Sequence, residues 1–148
     1  MRYSILFSIL ILFLASCTKN KFNTIPSLTF KSVNTSVLVN HQTIVFSLSF
    51  TDAEGDLSDS LYVEKKVLNC SNGSFKTKYP LPAFPTTKNQ EGVIDVTFGY
   101  NVFTNPPPVD IGSPQCQKND TVIFKFVLKD KAQHKSDTAF SGKVVIVR

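Results

Sequence analysis

From residue 27 onward, apolar and polar positions alternate along the chain. Thr43 to Phe50 places Ile44, Phe46, Leu48 and Phe50 on one face and Thr43, Val45, Ser47 and Ser49 on the other, the period of a half-buried strand. Val93 to Phe103 repeats this with Ile94, Val96, Phe98, Tyr100 and Val102 inward, and Thr121 to Lys129 with Val122, Phe124, Phe126 and Leu128. Lys143 to Val147 is β-branched, and Ser27 to Val33, Leu61 to Cys70 and Ser74 to Tyr79 supply weaker strand patterns. No window carries an apolar stripe at a 3.6-residue period, so no helix beyond a single turn is expected.

About seven short antiparallel strands joined by polar turns predict an all-β chain, and an immunoglobulin-like β-sandwich suits them better than a barrel. Composition agrees: 13 Phe and no Trp among 148 residues, 42% apolar and 18% charged, is the balance of one globular domain. Lettering the strands A to G brings the B–C, D–E and F–G connections to one end of the sandwich. The A–B, C–D and E–F connections gather at the other.

The amino terminus is different in kind. MRYSILFSILILFLASC has a single Arg2, an apolar run from Ile5 to Leu14 and then small residues, which is a signal-peptide pattern. A run this short does not reach the roughly 20 residues of a membrane-spanning helix. At its end, Leu14-Ala15-Ser16-Cys17 resembles the lipobox of bacterial lipoproteins. That resemblance implies cleavage before Cys17, a diacylglycerol on the Cys17 thiol and an acylated amino terminus, together a durable membrane anchor. It divides the chain into a signal peptide (1–16), a lipidated Cys17 with a tether (17–26) and the sandwich domain (27–148). Thr18 follows Cys17 where many lipoproteins kept in the inner membrane carry Asp, so the expected address is the outer membrane of a cell envelope. The leaflet is left open, because Thr18-Lys19-Asn20-Lys21 lacks the acidic run of a surface-export signal.

The net charge of +5 comes from lysines scattered singly or in pairs. With no interleaved aromatic platform, nucleic acid is not an expected partner. With Cys17 assigned to the anchor, Cys70 and Cys116 remain. An even remainder in an oxidising compartment predicts a disulfide, and the topology sets both at the same end of the sandwich.

Thr51-Asp52-Ala53-Glu54-Gly55-Asp56-Leu57-Ser58-Asp59 fills the B–C connection with four carboxylates. This spacing resembles the acidic loops of cadherin-like and PKD-like sandwich modules and of Ig-like Bacteroidota lipoproteins. The F–G hairpin, Lys129 to Thr138, resembles theirs too, with Gln133-His134 in place of Gly-Asn. The resemblance implies that Asp52, Glu54, Asp56 and Asp130 gather as hard oxygen ligands for Ca²⁺. The alternative is a purely local role, with Asp52 capping the turn and Gly55 taking a positive φ.

Phosphate-loop, zinc and hydrolase signatures are absent from the sequence. His41 and His134 are expected at opposite ends of the sandwich. Proline-rich stretches at Tyr79–Pro85 and Asn105–Val109 leave the sheets, and Tyr79, Phe84 and Phe103 could form an exposed aromatic platform for a sugar or peptide. Asp59-Ser60-Leu61, Asp120-Thr121-Val122 and Asp137-Thr138-Ala139 match an O-glycosylation triplet, though a turn followed by a strand start gives the same pattern. The expected function is a non-enzymatic, lipid-anchored module that binds an envelope protein or glycan. The alternative is a calcium-dependent or carbohydrate-binding accessory domain.

Overall fold

The structure, a computed structural model, describes residues 21–148; the signal peptide and Cys17 lie outside the described residues. Ten strands follow in order: β1 (Ser27–Val33), β2 (Val37–Leu38), β3 (Thr43–Asp52), β4 (Leu57–Val67), β5 (Phe75–Pro80), β6 (Gln90–Gly99), β7 (Val109–Asp110), β8 (Asp120–Asp130), β9 (Ala139–Phe140) and β10 (Val144–Ile146). One sheet runs β1-β3-β6-β7 and the other β2-β10-β8-β4-β5, with β9 paired to β8. The protein is an all-β, immunoglobulin-like sandwich.

Alternation builds the core. β3 and β8 bury every second residue along their length, and β3 pairs with β6 without a break from Thr43↔Gly99 to Asp52↔Gln90. The inner faces meet at Phe46, whose ring centroid lies 4.6 Å from that of Phe124 and 5.4 Å from that of Phe126. All three rings are fully buried. Each contributes about 2–3 kcal/mol by leaving water, plus edge and offset contacts between rings.

The strand count corrects the expected seven. The three additional strands are two residues long, too short to show a period. Nor is the pairing all antiparallel, since β10 runs parallel to β2 and β6 to β7. β6 begins at Gln90 and stops at Gly99, short of the expected Phe103, because Asn101 takes φ 51° and turns the chain out of the sheet. No helix among the described residues is long and apolar enough to cross a membrane.

Two ends of the sandwich differ in chemistry. At one, Cys70 and Cys116 are joined, with Cα atoms 6.1 Å apart. The strap from β7 to Cys116 covers a fully buried lysine: Lys65 Nζ donates to the Ile111 carbonyl at 2.7 Å and lies 5.1 Å from the centre of the Phe75 ring. Burial pushes the Lys65 amine below its ordinary value, opposed by the charges of Asp120 and Asp110. Asp120 is itself fully buried, and neither carboxylate oxygen has a hydrogen-bond partner.

At the other end, Ser27 pairs with Thr51, so β1 starts beside the end of β3. Residues 21–26, within the expected tether, contact the body of the sandwich. The Ala53 amide donates to the Asn23 carbonyl at 3.1 Å, Lys21 pairs with Glu91, and Pro26 is buried.

Candidate metal centre

β3 ends at Asp52, β4 starts at Leu57, and Leu57 pairs with Asp130 at the end of β8. The sheet register therefore brings the β3–β4 loop against the β8–β9 hairpin. The Lys131 amide donates to the Asp56 carbonyl at 2.8 Å and fixes the two together. One carboxylate oxygen from each of Asp52, Asp56 and Asp130 lies within 4.8 Å of the other two.

Each aspartate is held by its own local structure. Asp52 Oδ2 accepts from the amides of Gly55 at 2.6 Å and Asp56 at 3.1 Å, an Asx-type turn. Gly55 has φ 67°, and a Cβ there would fall on the Thr87 carbonyl, so the loop fits against the β5–β6 segment because this residue has no side chain. Asp130 is 1% exposed. Its Oδ1 accepts from the His134 amide at 2.7 Å, and its Oδ2 lies 2.7 Å from His134 Nδ1. The hairpin closes through Gln133, whose φ of 77° occupies the left-handed region that favours glycine. Asp56 is half-buried at the mouth.

Asp52 is the distinctive group. It is fully buried, and its Oδ1 has no partner. Burial raises its carboxyl above the ordinary aspartate value; the Gly55 and Asp56 amides oppose this, while the charges of Asp56 and Glu54 add to it. Leaving a buried acceptor unmade costs about 1–3 kcal/mol, more for a charge. A cation between the three carboxylates would remove both penalties. Two oxygens bound to one Ca²⁺ at 2.3–2.6 Å stand at most about 5 Å apart, a span these three oxygens already meet. The donor set is all carboxylate oxygen, which suits a hard cation.

Glu54, expected as a fourth ligand, is exposed and outside this group. The turn closed by Asp52 on the Gly55 and Asp56 amides puts residue 54 at its outer apex. His134, at the end of the sandwich where it is expected, is exposed and also orients Asp130 through its Nδ1. A nitrogen beside an acidic hairpin residue was the available signal. His41 sits at the far end as expected, its Nδ1 2.9 Å from the Asn101 carbonyl.

The aromatic platform does not form. Tyr79 packs on Phe98 and accepts the Thr97 amide on its hydroxyl at 3.1 Å, and Phe84 packs on Phe50. Phe103 alone is exposed, at 88%. A shallow groove of about 310 Å³ runs over the outer face of the second sheet between Tyr62, Lys76 and Phe140, away from the aspartates. Its Glu64 and Lys125 pair with each other at 3.4 Å.

No protein-family model matches the chain, and no curated protein matches it in sequence. Among solved structures it is similar to Spo0M, the sporulation control protein of Bacillus subtilis, with TM-score 0.46 and 8% identity over 84% of this chain and 50% of that one. The chain thus spans half the length of Spo0M. It is also similar to a Niemann-Pick type C2 protein from the Japanese carpenter ant (TM-score 0.45, 14% identity, 86% of this chain and 97% of that one). A third likeness is to the CARDB domain of PF1109 from Pyrococcus furiosus (TM-score 0.38, 10% identity, 84% and 98%). The fold assignment rests on the strand order and core described above.

Proposed function

We propose that this chain is a lipid-anchored, non-enzymatic binding module of the cell envelope whose ligand-responsive element is a Ca²⁺ site at Asp52, Asp56 and Asp130. The observation that carries the reading is the unpartnered, fully buried Oδ1 of Asp52 in a group of three convergent carboxylates. A turn that needed only a cap would use Asp52 Oδ2 and leave the second oxygen to solvent.

The anchor rests on Leu14-Ala15-Ser16-Cys17, and the outer membrane on Thr18 beyond it. The non-enzymatic reading rests on the groove over the second sheet, where opposite charges satisfy each other rather than face a ligand. Partners of the module, an envelope protein or a glycan, would meet it at its loops or at an edge of a sheet.

The test is thermal unfolding of the chain across a Ca²⁺ titration. Binding to the native state alone stabilises it by about 2.7 kcal/mol at 100 times Kd, a rise in melting temperature on the order of 10 °C. Asp56→Ala should abolish that rise. An unchanged melting temperature at millimolar Ca²⁺ refutes the site.

A further inference from the structure

The strap that crosses the far end of the sandwich has one apolar foothold. Ile111 is fully buried, and its amide donates to the Gly99 carbonyl at 2.8 Å. Gly112 then takes φ 76° and carries the chain outward, where Ser113, Gln115, Gln117, Lys118 and Asn119 are all exposed. Among the described residues, the hydrogen bonds of 113–118 stay within the strap: Gln115 Nε2 donates to the Ser113 carbonyl at 3.0 Å, and the Lys118 amide to the Cys116 carbonyl. The chain rejoins the body at Asn119, whose carbonyl accepts from Asn69 Nδ2 at 2.9 Å. Between these two points Gln115 lies against Gly73, and the Cys70–Cys116 bond fastens the strap down.

What lies beneath the strap favours its release. Lys65 and Asp120 are both fully buried. Lys65 Nζ donates to the Ile111 carbonyl at 2.7 Å and sits beside Gly112, at the foot of the strap. Asp120 borders Gly73 next to Gln115, and neither of its carboxylate oxygens has a hydrogen-bond partner. A charge held away from water is costly unless it is paired and fully hydrogen-bonded, so water reaching these groups lowers the free energy. A polar segment without a strand ladder also regains chain freedom when it lifts. The disulfide opposes both effects.

We propose that the Cys70–Cys116 bond is a redox latch: reduction by a dithiol protein frees the strap between Gly112 and Asn119 and opens Lys65 and Asp120 to solvent. Both cysteines are half-buried and stand between exposed neighbours, Asn69 and Ser71 on one side, Gln115 and Gln117 on the other, so an attacking thiolate can reach them. That thiolate joins one cysteine sulfur and expels the other as a thiolate, which takes up a proton. The partner's second thiol then breaks the mixed disulfide; two electrons and two protons have passed to Cys70 and Cys116, and the partner leaves as a disulfide. The latch depends on neither the lipid anchor nor the Ca²⁺ site, which lies at the other end of the sandwich.

The experiment acetylates the full chain with N-hydroxysuccinimide acetate and reads Lys65 against its exposed neighbour Lys66 by mass spectrometry. Dithiothreitol should raise the Lys65 to Lys66 ratio at least about tenfold, and in the reduced chain Lys65 should be at least about tenfold less protected than the amides of the β3–β6 ladder are from hydrogen exchange. A ratio that reductant does not move would overturn the latch. So would protection equal to that of the ladder amides, since Lys65 is then reached only by global unfolding. The Cys70→Ser, Cys116→Ser chain should label as the reduced parent does, and a response of that chain to dithiothreitol would assign the effect elsewhere and overturn the latch. Trypsin cleavage after Lys118 reads the strap itself. Under reductant it should be at least about threefold faster in the parent than in Lys65→Met, Asp120→Asn, where no buried charge gains water. Equal rates would overturn the part given to those charges.

Discussion

Lys131 donates its backbone amide to the carbonyl of Asp56 at 2.8 Å. This hydrogen bond joins the β3–β4 loop to the β8–β9 hairpin and sets Asp56 opposite Asp130. Lys131→Pro removes the donor. It should cost about 1–3 kcal/mol in urea unfolding and weaken Ca²⁺ stabilisation further, because Asp56 is then free to leave the group. A variant as stable as the parent, with the same Ca²⁺ response, would show that the two loops are positioned by something else.

Asp52 makes a prediction with a sign. Its carboxyl is raised above 3.8 by burial, so the native state holds this proton more tightly than the unfolded chain does. The stability from that difference is complete below pH 3.8 and is lost as pH rises through the folded value. At neutral pH without a cation, the buried charge is therefore a net cost. Asp52→Asn keeps an oxygen for the Gly55 and Asp56 amides and removes the charge. It should match or exceed the parent in stability at pH 7, flatten the pH dependence and abolish the response to Ca²⁺. Asp52→Ala, which loses the turn acceptor too, should cost about 1–2 kcal/mol. Unfolding measured from pH 3 to 8 with and without Ca²⁺ separates the three proteins.

Gly55 is a steric requirement of the same turn. Its φ of 67° and the nearness of the Thr87 carbonyl both exclude a Cβ. Gly55→Ala should lose at least about 2 kcal/mol, combining left-handed strain with displacement of the β5–β6 segment. It should lower the apparent Ca²⁺ affinity although no ligand is altered. Denaturant midpoints and Ca²⁺ titration of the variant check both parts.

Much of this was legible in the sequence because alternation has a physical cause. Strands with one face in the core, such as Thr43–Asp52 and Asp120–Asp130, must place every second side chain inward, and their positions follow from that alone. Two-residue parallel pairings such as Val37–Leu38 on β10 are set by tertiary contact and leave no period to read. The convergence of Asp52 and Asp56 with Asp130 followed from loops sharing one end of a sandwich. The exclusion of Glu54 did not, since it depends on which oxygen of Asp52 closes the turn. Phe84 reads as exposed because it stands among prolines, yet it folds back on Phe50 at 5.6 Å between ring centroids.

Cys70 and Cys116 close a span of 46 residues. In the chain-entropy account such a loop contributes about 4 kcal/mol. The Cys70→Ser, Cys116→Ser variant should lose roughly that much, and reduced parent protein should behave like the variant. Denaturant unfolding with and without reductant measures both. A loss well under 1 kcal/mol would mean that the strap from β7 to Cys116 is held by Ile111 and the β6–β7 pairing without the bridge.

Beneath that strap, Lys65 and Asp120 are both buried, and the charge of Asp120 opposes the effect of burial on the Lys65 amine. Lys65 has its bond to the Ile111 carbonyl, whereas Asp120 has no hydrogen-bond partner at either oxygen. Burial costs the Lys65 charge more than Asp120 and Asp110 return to it, so loss of that charge in Lys65→Met offsets the lost bond to the Ile111 carbonyl and the change in stability should stay within about 1–2 kcal/mol. Because the Lys65 charge opposes that of Asp120, Lys65→Met with Asp120→Asn should still show a coupling of about 1–3 kcal/mol in a double-mutant cycle. The alkaline limb supplies a second signature. Lys65 sits below its ordinary 10.5 in the fold, so the unfolded chain binds its proton more tightly and the parent gains stability as pH rises toward 10.5. That slope should be missing from Lys65→Met. Additive single-mutant effects would show that the two charges do not act on one another, and an alkaline slope unchanged in Lys65→Met would show that it comes from another group.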